Sequence, residues 1–250
     1  MPAAFKDHFS GHAADYRASR PTYPAALFTW LAANAPATAT AVDLGCGNGQ
    51  ASRGLADHFA QVTALDPSAE QIRQAEPHPR IVYRVARAEA TELVKSSADL
   101  VVAAQAFHWF DHPRFFPELT RILRPGGLFA AITYSTCTIT PAIDQVIQVL
   151  YHDLLEEFWP PERRHVEDRY RSLPFPLREV AVPAMELVVD WNLVRLRDYL
   201  GTWSALKAWQ KQHGTDPRQR IDTGLSGAWG DPNQLRTVRW PLAIRAGHAA

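Results

Sequence analysis

The stretch VDLGCGNGQ, residues 42–50, places glycines at three alternate positions directly after a short apolar run. Glycine has no Cβ, so it adopts positive φ readily and lets another group approach the backbone closely. A helical pattern follows over about residues 50–59, so the glycines fall in a turn between a strand and a helix. The N-terminus of such a helix offers unpaired N–H groups to an anionic ligand. The stretch therefore favours a ligand-binding loop, although a tight turn without a ligand has the same pattern.

Short apolar runs alternate with helical patterns on both sides of this loop. Strands are predicted at residues 40–44, 61–65, 80–85, 99–106 and 128–132, with helices over 24–34, 50–59, from Ser68 onward and over 115–123. Such alternation is typical of an α/β fold in which helices cover both faces of a parallel sheet. Ligands of these folds bind beyond the carboxyl ends of the strands, where the glycine loop is expected to lie.

The second half of the chain is predicted to complete this single domain, residues 1–250. Apolar residues at helical spacing, from Ile143 to Phe158, predict a strongly amphipathic helix. We interpret residues 134–184 as a helical cap that lies over the crevice, inserted between the fifth and sixth strands. The segment MELVVDW (185–191) is predicted to be the sixth strand, and TVRWPLAIR (237–245) the last, antiparallel one. The rest of the domain consists of residues 1–133, the half that contains the glycine loop, and residues 185–250, which contain the last two strands and a long connection.

Composition restricts the classes of function. The chain of 250 residues has 26 basic and 26 acidic side chains, so it lacks the basic excess that dominates affinity for nucleic acid. The two cysteines are too few for a disulfide scaffold and have no metal-ligand spacing. No apolar run approaches the roughly 18 residues of a membrane span, and the first residues lack a signal-peptide core. We therefore expect a soluble cytoplasmic protein that binds no metal, nucleic acid or membrane; its oligomeric state stays open.

The spacing of the glycines distinguishes between two kinds of nucleoside cofactor. A dinucleotide fingerprint reads G-x-G-x-x-G, whereas this loop reads G-x-G-x-G and has Gln50 at the position of the third glycine of that fingerprint. Asp66, at the end of the second predicted strand, is well placed to accept hydrogen bonds from two ribose hydroxyls. An acid at that position occurs in both classes, so the glycine pattern alone disfavours a dinucleotide.

The sequence resembles the class I S-adenosylmethionine-dependent methyltransferases. The motifs that carry the resemblance, in the order and spacing of that family, are VDLGCGNG, ALDPS, AEA, ADLVVAAQAFHWFD and RILRPGGLFAA. Three further stretches, DYRASRPTYP, AQAFHWFD and TWSA (202–205), are similar to the small-molecule group that includes trans-aconitate-methyltransferase-like enzymes. The resemblance implies a Rossmann-like, seven-stranded, mostly parallel sheet whose last strand is antiparallel. It implies S-adenosylmethionine as cofactor and S-adenosylhomocysteine as product.

The resemblance also implies which residues bind the cofactor. Gly45 to Gly49 would line the methionine portion, Asp66 would hold the ribose, and Tyr16 and Arg20 would belong to a segment folded over the cofactor. The full implied set is Tyr16, Arg20, Gly45, Cys46, Gly47, Gly49, Asp66, Pro67, Gln71, Ala88, Glu89 and Gln105. Within it, Cys46 is interpreted as a packing residue rather than a nucleophile. A capping box with Ser68 would by itself explain Gln71, and Arg20 is either a partner of the methionine carboxylate or a surface residue.

The predicted reaction is methyl transfer to an oxygen, carboxylate or hydroxyl, of a small organic acceptor. His108 follows the fourth predicted strand, where the methyl group would be delivered. It is a candidate base or orienting group, since an unperturbed histidine has a pKa near 6.5, or it only holds the loop by hydrogen bonds. Alternative functions are a nucleic-acid or protein methyltransferase, a nucleoside-binding protein without catalysis, and a dehydrogenase.

Overall fold

The chain folds as alternating strands and helices, and the computed structural model describes residues 20–249. The strands are β1 (Thr40–Leu44), β2 (Gln61–Asp66), β3 (Ile81–Val85), β4 (Ala98–Ala104), β5 (Leu123–Thr133), β6 (Arg178–Glu179), β7 (Glu186–Trp191), β8 (Arg236–Pro241) and β9 (Ala243–His248). The α-helices are α1 (Ala25–Asn34), α2 (Gln50–Ala56), α3 (Ala69–Arg73), α4 (His112–Ile122), α5 (Pro141–Gln148), α6 (Arg163–Glu167), α7 (Leu193–Gly201), α8 (Ser204–His213) and α9 (Asp222–Trp229).

Seven strands form one sheet in the order β3-β2-β1-β4-β5-β9-β6. The first five pair in parallel, and β9 pairs antiparallel with both β5 and β6. This confirms the Rossmann-like, mostly parallel sheet with an antiparallel last strand. From β1 the chain first builds outward through β2 and β3, and then through β4 and β5 on the other side. The strand order therefore reverses between β1 and β4, and a ligand crevice is expected at the carboxyl ends of these strands.

The prediction that MELVVDW is the sixth strand of this sheet is wrong. Residues of β7 pair instead with β8 in a separate two-stranded antiparallel sheet, and the edge position in the main sheet belongs to β6. Only one face of β7 is buried: Leu187 and Trp191 are buried, whereas Val188 is 46% exposed. An interior strand of a parallel sheet would be covered on both faces.

The predicted last strand, TVRWPLAIR, divides between the two sheets. Its first part belongs to β8 and its second part to β9, with Leu242 between them. Pro241 has no backbone N–H, so the ladder is interrupted where the chain changes sheets.

The amphipathic segment from Ile143 to Phe158 is not one continuous α-helix. It begins as α5, widens into a π-helix over Val149–Leu154 and ends as a 3₁₀ turn over Glu156–Phe158. The apolar face is nevertheless inward as predicted, since Ile143, Ile147 and Leu150 are fully buried. Pro160 and Pro161 follow directly, and proline cannot continue a helix.

Three hydrophobic clusters form the core. Two lie against the main sheet, and the third joins residues 134–159 to residues 187–240. The range 134–184 divides between these clusters, because Val166, Tyr170 and Leu173 pack with the sheet. A cap over the crevice and the division at residues 133 and 184 stay predictions. Within residues 20–249, no helix is long and apolar enough to cross a membrane, and no group of three or more metal-ligating side chains is found.

Candidate active site

The three glycines of the loop between β1 and α2 have different roles. All have positive φ, at 68° for Gly45, 54° for Gly47 and 90° for Gly49. A Cβ on Gly45 would collide with Ala106, and one on Gly49 would collide with the ring of Tyr83. A Cβ on Gly47 would meet only the Oε1 atom of Gln71, at 3.7 Å. Gly45 and Gly49 are thus required by packing, whereas a Cβ would fit at Gly47.

Asp66 ties this loop to the start of α3. Its buried carboxylate accepts a hydrogen bond from the N–H of Gly47 at 2.9 Å and another from the N–H of Ser68 at 2.8 Å. Each carboxylate oxygen can accept a further hydrogen bond. Ser68 caps α3, as predicted, by accepting from the N–H of Gln71 at 3.3 Å. The reciprocal half of the predicted capping box is absent, because the Ser68 N–H bonds to Asp66.

The other residues of the implied cofactor set lie around the same strand ends. Gln71 and Ala88 are buried, Pro67 is half-buried, and Glu89 accepts a hydrogen bond from the backbone of Asp111 at 2.8 Å. Tyr16 lies outside the described residues.

Cys46 is buried between two glycines of the loop, and burial raises the pKa of its thiol well above the usual value. The nearby carboxylates of Asp43 and Asp66 raise this pKa further. The nucleophile is the thiolate, so these surroundings agree with a packing role for Cys46.

A cavity opens at the carboxyl ends of β4 and β5. Aromatic side chains form much of its wall, among them Tyr134, Trp159, Tyr199 and Trp203. Its polar lining includes Arg20, Gln105, His108, Ser135 and Arg163, and none of the described lining residues is acidic. The cavity thus combines an apolar wall with positive charge.

Two residues of the predicted site hold this cavity together at its base. Gln105 follows β4 in a left-handed conformation, with a φ of 58°. Its amide donates to the carbonyl of Tyr134 at 3.0 Å and accepts from the hydroxyl of Thr133 at 2.8 Å. Arg20 donates to the hydroxyl of Tyr134 at 3.4 Å. Gln105 and Arg20 thus line the same cavity. The glycines of the loop after β1 are not among the residues that line it.

His108 lies in a 3₁₀ turn, Phe107–Trp109, on the wall of the same cavity. Its Nδ1 is 2.8 Å from the hydroxyl of the fully buried Tyr170. Burial, as the largest cause, and the charges of Arg163, His165 and His112 together lower the pKa of His108 to about 3. The ring is therefore neutral at neutral pH.

Comparison with known proteins identifies the family. The family model described as "Methyltransferase domain" matches residues 42–131. A Dictyostelium discoideum protein named a methyltransferase is 31% identical over 249 residues, which cover 96% of this chain and 94% of that protein. A Saccharomyces cerevisiae protein named an S-adenosylmethionine-dependent methyltransferase is 32% identical, with 82% of each chain covered. This chain belongs to the S-adenosylmethionine-dependent methyltransferases.

A solved structure described as a type II methyltransferase from Anaeromyxobacter dehalogenans resembles this methyltransferase over nearly its whole length. The two share 52% identity, and the TM-score is 0.87, with 92% of this chain and 97% of the other covered. The similarity therefore includes the second half of the chain, which the family model does not match.

Sequence reasoning missed Asp43, near the C-terminal end of β1 of the methyltransferase. Its side chain is fully buried, and its Oδ2 accepts from the hydroxyl of Ser52 at 2.6 Å. Its Oδ1 is buried without a hydrogen-bond partner among the described residues. The pKa of Asp43 is raised to about 6, mainly by burial; the hydrogen bond from Ser52 lowers this pKa and the nearby Asp66 raises it. The sequence does contain a signal for this residue, namely an acidic residue within an apolar strand. Acidic side chains are rarely buried, so one in a buried strand indicates a specific role.

Arg163 of the methyltransferase was also missed. Its guanidinium lies over the rings of Trp159, at 4.9 Å, and Tyr151, at 5.3 Å. It donates to the Tyr151 hydroxyl at 2.6 Å and to the Ser135 hydroxyl at 3.3 Å. Within residues 20–249 it forms no ion pair with an acidic side chain. No local pattern distinguishes it from Arg164, which is exposed.

Proposed function

We propose that this methyltransferase transfers the methyl group of S-adenosylmethionine to an oxygen of a small organic acid. The observation that carries the proposal is the charge of the cavity, where Arg163 presents a guanidinium and the described lining has no acid. Such a site favours an anionic acceptor, because arginine binds carboxylates through paired, charge-assisted hydrogen bonds. The proposal places the enzyme in the small-molecule group that includes trans-aconitate-methyltransferase-like enzymes.

The residues around the glycine loop fit the cofactor. The backbone at Gly47 has room for a Cβ, so a ligand could approach it there, and the nearby Asp66 carboxylate can accept hydrogen bonds from ribose hydroxyls. The unpartnered Oδ1 of Asp43 is complementary to a ligand that carries positive charge. S-adenosylmethionine supplies, when bound, an electrophilic methyl group on a sulfonium sulfur. Of the implied set, Arg20 and Gln105 lie on the acceptor cavity and would border both ligands.

The chain's own contribution to the reaction is alignment in a site with little water. The rings of Trp159, Tyr199 and Trp203 would pack against the carbon skeleton of the acceptor and exclude water. Arg163 would hold a carboxylate of the acceptor, and its own bonds to Tyr151 and Ser135 fix its position beforehand. Holding two reactants in line in this way is a large source of rate enhancement.

A label-transfer assay with matched variants tests this proposal. The enzyme is supplied with S-adenosylmethionine labelled in the methyl group and a panel of small organic acids. For the acid that accepts label, Arg163→Gln should raise KM by about 10–150-fold, the equivalent of a lost hydrogen bond to a charged group at about 1.5–3 kcal/mol. Calorimetric affinity for S-adenosylhomocysteine should stay unchanged.

The neighbouring Arg164→Gln is the control, since Arg164 is exposed and does not line the cavity. An unchanged KM in Arg163→Gln would contradict the anion site. Label that enters only nucleic acid or protein, and none of the acids, would contradict the acceptor class.

A further inference from the structure

The hydroxyl of Tyr151 connects two side chains of opposite charge. Arg163 donates through Nε to this hydroxyl at 2.6 Å, and the hydroxyl donates to Oε1 of Glu167, also at 2.6 Å. An arginine has only donors and an ionised carboxylate only acceptors, so the direction of both bonds is determined. The hydroxyl therefore lies between the guanidinium and the carboxylate and bonds to each of them.

Without this hydroxyl, Arg163 and Glu167 would be natural partners. They are the first and last residues of α6, four positions apart, and side chains at this spacing are neighbours on a helix surface. Opposite charges at this spacing attract each other and stabilise a helix. Among residues 20–249, Arg163 nevertheless has no ion pair, although Glu167 is exposed and only one hydroxyl away. The Tyr151 hydroxyl occupies the position at which the two charged groups would bond directly.

Tyr151 is held in this position by its own surroundings. It belongs to the π-helix Val149–Leu154, and its side chain is buried. Its ring packs on those of Trp159 and Trp203, with centroid distances of 4.7 and 5.6 Å. Its carbonyl accepts from Nε1 of Trp159 at 3.1 Å. Single π-helical turns are rare and frequently occur at functional sites. Tyr151 thus holds two residues of the cavity wall, Trp159 through its carbonyl and Arg163 through its hydroxyl.

The group that separates the two charges is itself neutral. The pKa of Tyr151 is raised to about 12, mainly by burial; Arg163 lowers this pKa and the hydrogen bond to Glu167 raises it. The hydroxyl therefore keeps its hydrogen at neutral pH and can donate it to Glu167. The Nη1 group of Arg163 forms no hydrogen bond with residues 20–249, so its hydrogens are available to a ligand in the cavity.

We infer that Tyr151 is a positioning residue that keeps Arg163 in the cavity by separating it from Glu167. The inference rests on the proposed function, in which Arg163 binds the carboxylate of the acceptor, and it adds a residue that determines the affinity for that carboxylate. Glu167 is satisfied by the Tyr151 hydroxyl and does not compete with the acceptor for the guanidinium. The acceptor then binds an arginine that is already in place, which lowers the cost of ordering the site on binding.

The substitution Tyr151→Phe tests this role, because it removes the hydroxyl and keeps the ring that packs on Trp159. Arg163 should then turn toward Glu167 and pair with it directly. With an acid that accepts label, KM should rise by about 3–10-fold, because the acceptor must displace a carboxylate of the chain itself. The value of kcat should stay within about twofold of wild type, since the lost interaction serves substrate and transition state equally. Unchanged calorimetric affinity for S-adenosylhomocysteine verifies that the variant is folded.

Removal of the competing charge should reverse this loss. In Tyr151→Phe/Glu167→Gln the guanidinium has no carboxylate to pair with, and KM should fall by about threefold or more relative to Tyr151→Phe. In the presence of Tyr151, Glu167→Gln should change KM by less than about twofold, because the glutamine amide oxygen still accepts the hydrogen of the hydroxyl.

The matched control is Tyr151→Phe/Glu162→Gln. Glu162 directly precedes Arg163 and does not lie one turn away from it, so its removal deletes a neighbouring acid but not the competing one. The KM of this variant should equal that of Tyr151→Phe. A purely structural defect would not be relieved by Glu167→Gln, so equal KM values in Tyr151→Phe and Tyr151→Phe/Glu167→Gln would overturn the inference.

A crystal structure of ligand-free Tyr151→Phe tests the separation without any acceptor. We expect a nitrogen of Arg163 within about 4 Å of a Glu167 oxygen, the usual limit of an ion pair. A guanidinium that keeps its place over Trp159, apart from Glu167, would overturn the inference even where the proposed acceptor class is correct. A direct pair in the crystal, with no acid accepting label, would support the separation and contradict the proposed function, so the two failures are distinguishable.

Discussion

At the scale of single residues, the buried carboxyl group of Asp43 lowers the stability of the ligand-free fold. Its carboxyl is fully buried, one oxygen has no partner among the described residues, and burial raises its pKa from 3.8 to about 6. The folded protein therefore binds a proton on this group more tightly than the unfolded chain does. Folding stability falls as pH rises from about 4 to about 6 and stays reduced above that range. The penalty is about 3 kcal/mol, since one pKa unit corresponds to about 1.4 kcal/mol.

Asp43→Asn should therefore stabilise the ligand-free enzyme. The asparagine is neutral and can keep the bond from Ser52 through its amide oxygen. We expect the free energy of unfolding to rise by about 1–3 kcal/mol at pH 7.5 and to match wild type near pH 4, by urea denaturation. Affinity for S-adenosylhomocysteine should fall at the same time.

Asp57 is exposed and follows the last residue of α2. The substitution Asp57→Asn is therefore the control for loss of one negative charge. An equal gain at pH 4 and pH 7.5 would show that the ionised carboxylate of Asp43 is not the cause.

At the scale of elements, the three glycines of the loop between β1 and α2 have different surroundings. A Cβ has room at Gly47, whereas Gly45 and Gly49 are enclosed by Ala106 and Tyr83. Gly126 is a matched reference, because its φ of 73° is also positive and a Cβ there would meet nothing within 4 Å.

Gly47→Ala and Gly126→Ala should thus lose similar stability, about 1–2 kcal/mol, because each alanine adopts a left-handed conformation. Only Gly47→Ala should weaken binding of S-adenosylhomocysteine, by at least about tenfold in titration calorimetry, since its methyl group would occupy the space of the ligand. Equal affinities in the two variants would show that the open side of Gly47 is not the binding surface.

Elements with a local signature could be predicted from the sequence, and those defined by a distant partner could not. The end of β1, the glycine loop and the start of α2 lie within the nine letters VDLGCGNGQ, and the first five strands are predicted from local patterns. The packing roles of Gly45 and Gly49 depend on Ala106, which follows β4, and on Tyr83 of β3, and both are distant in sequence. Likewise, β7 has an ordinary strand pattern, and only its pairing with β8 excludes it from the main sheet.

The same limit applies to the candidate site. His108 was found from its place after β4, but its partner Tyr170 is 62 residues away and rests on strained backbone with no local signature. Arg163 lies beside a second arginine that points to solvent, and only the fold distinguishes the two. The depressed pKa of His108 comes from burial and from Arg163, and neither was visible in the sequence.

At the scale of the whole molecule, the hydrophobic core is divided. Among residues 20–249, the cluster that joins residues 134–159 to residues 187–240 shares only the partly buried Tyr23 and Leu242 with the cluster that contains Cys46 of the glycine loop. Clusters with few shared side chains tend to open as separate cooperative units. Most of the residues proposed to bind the cofactor follow strands of the main sheet, so the ligand should stabilise one unit directly and the other only weakly.

Two buried leucines allow this division to be tested. Leu206 on α8 belongs to the first cluster and Leu55 on α2 to the second, and both are almost completely buried. Substitution by alanine should cost about 2–5 kcal/mol in either case. We expect calorimetric melting of Leu206→Ala to show two transitions, of which the lower does not move when S-adenosylhomocysteine is added. In Leu55→Ala the sheet should melt at a lower temperature. Ligand at 100 times its Kd should then raise the free energy of unfolding of the sheet by about 2.7 kcal/mol. A single transition that the ligand shifts equally in both variants would instead show that the enzyme unfolds as one unit.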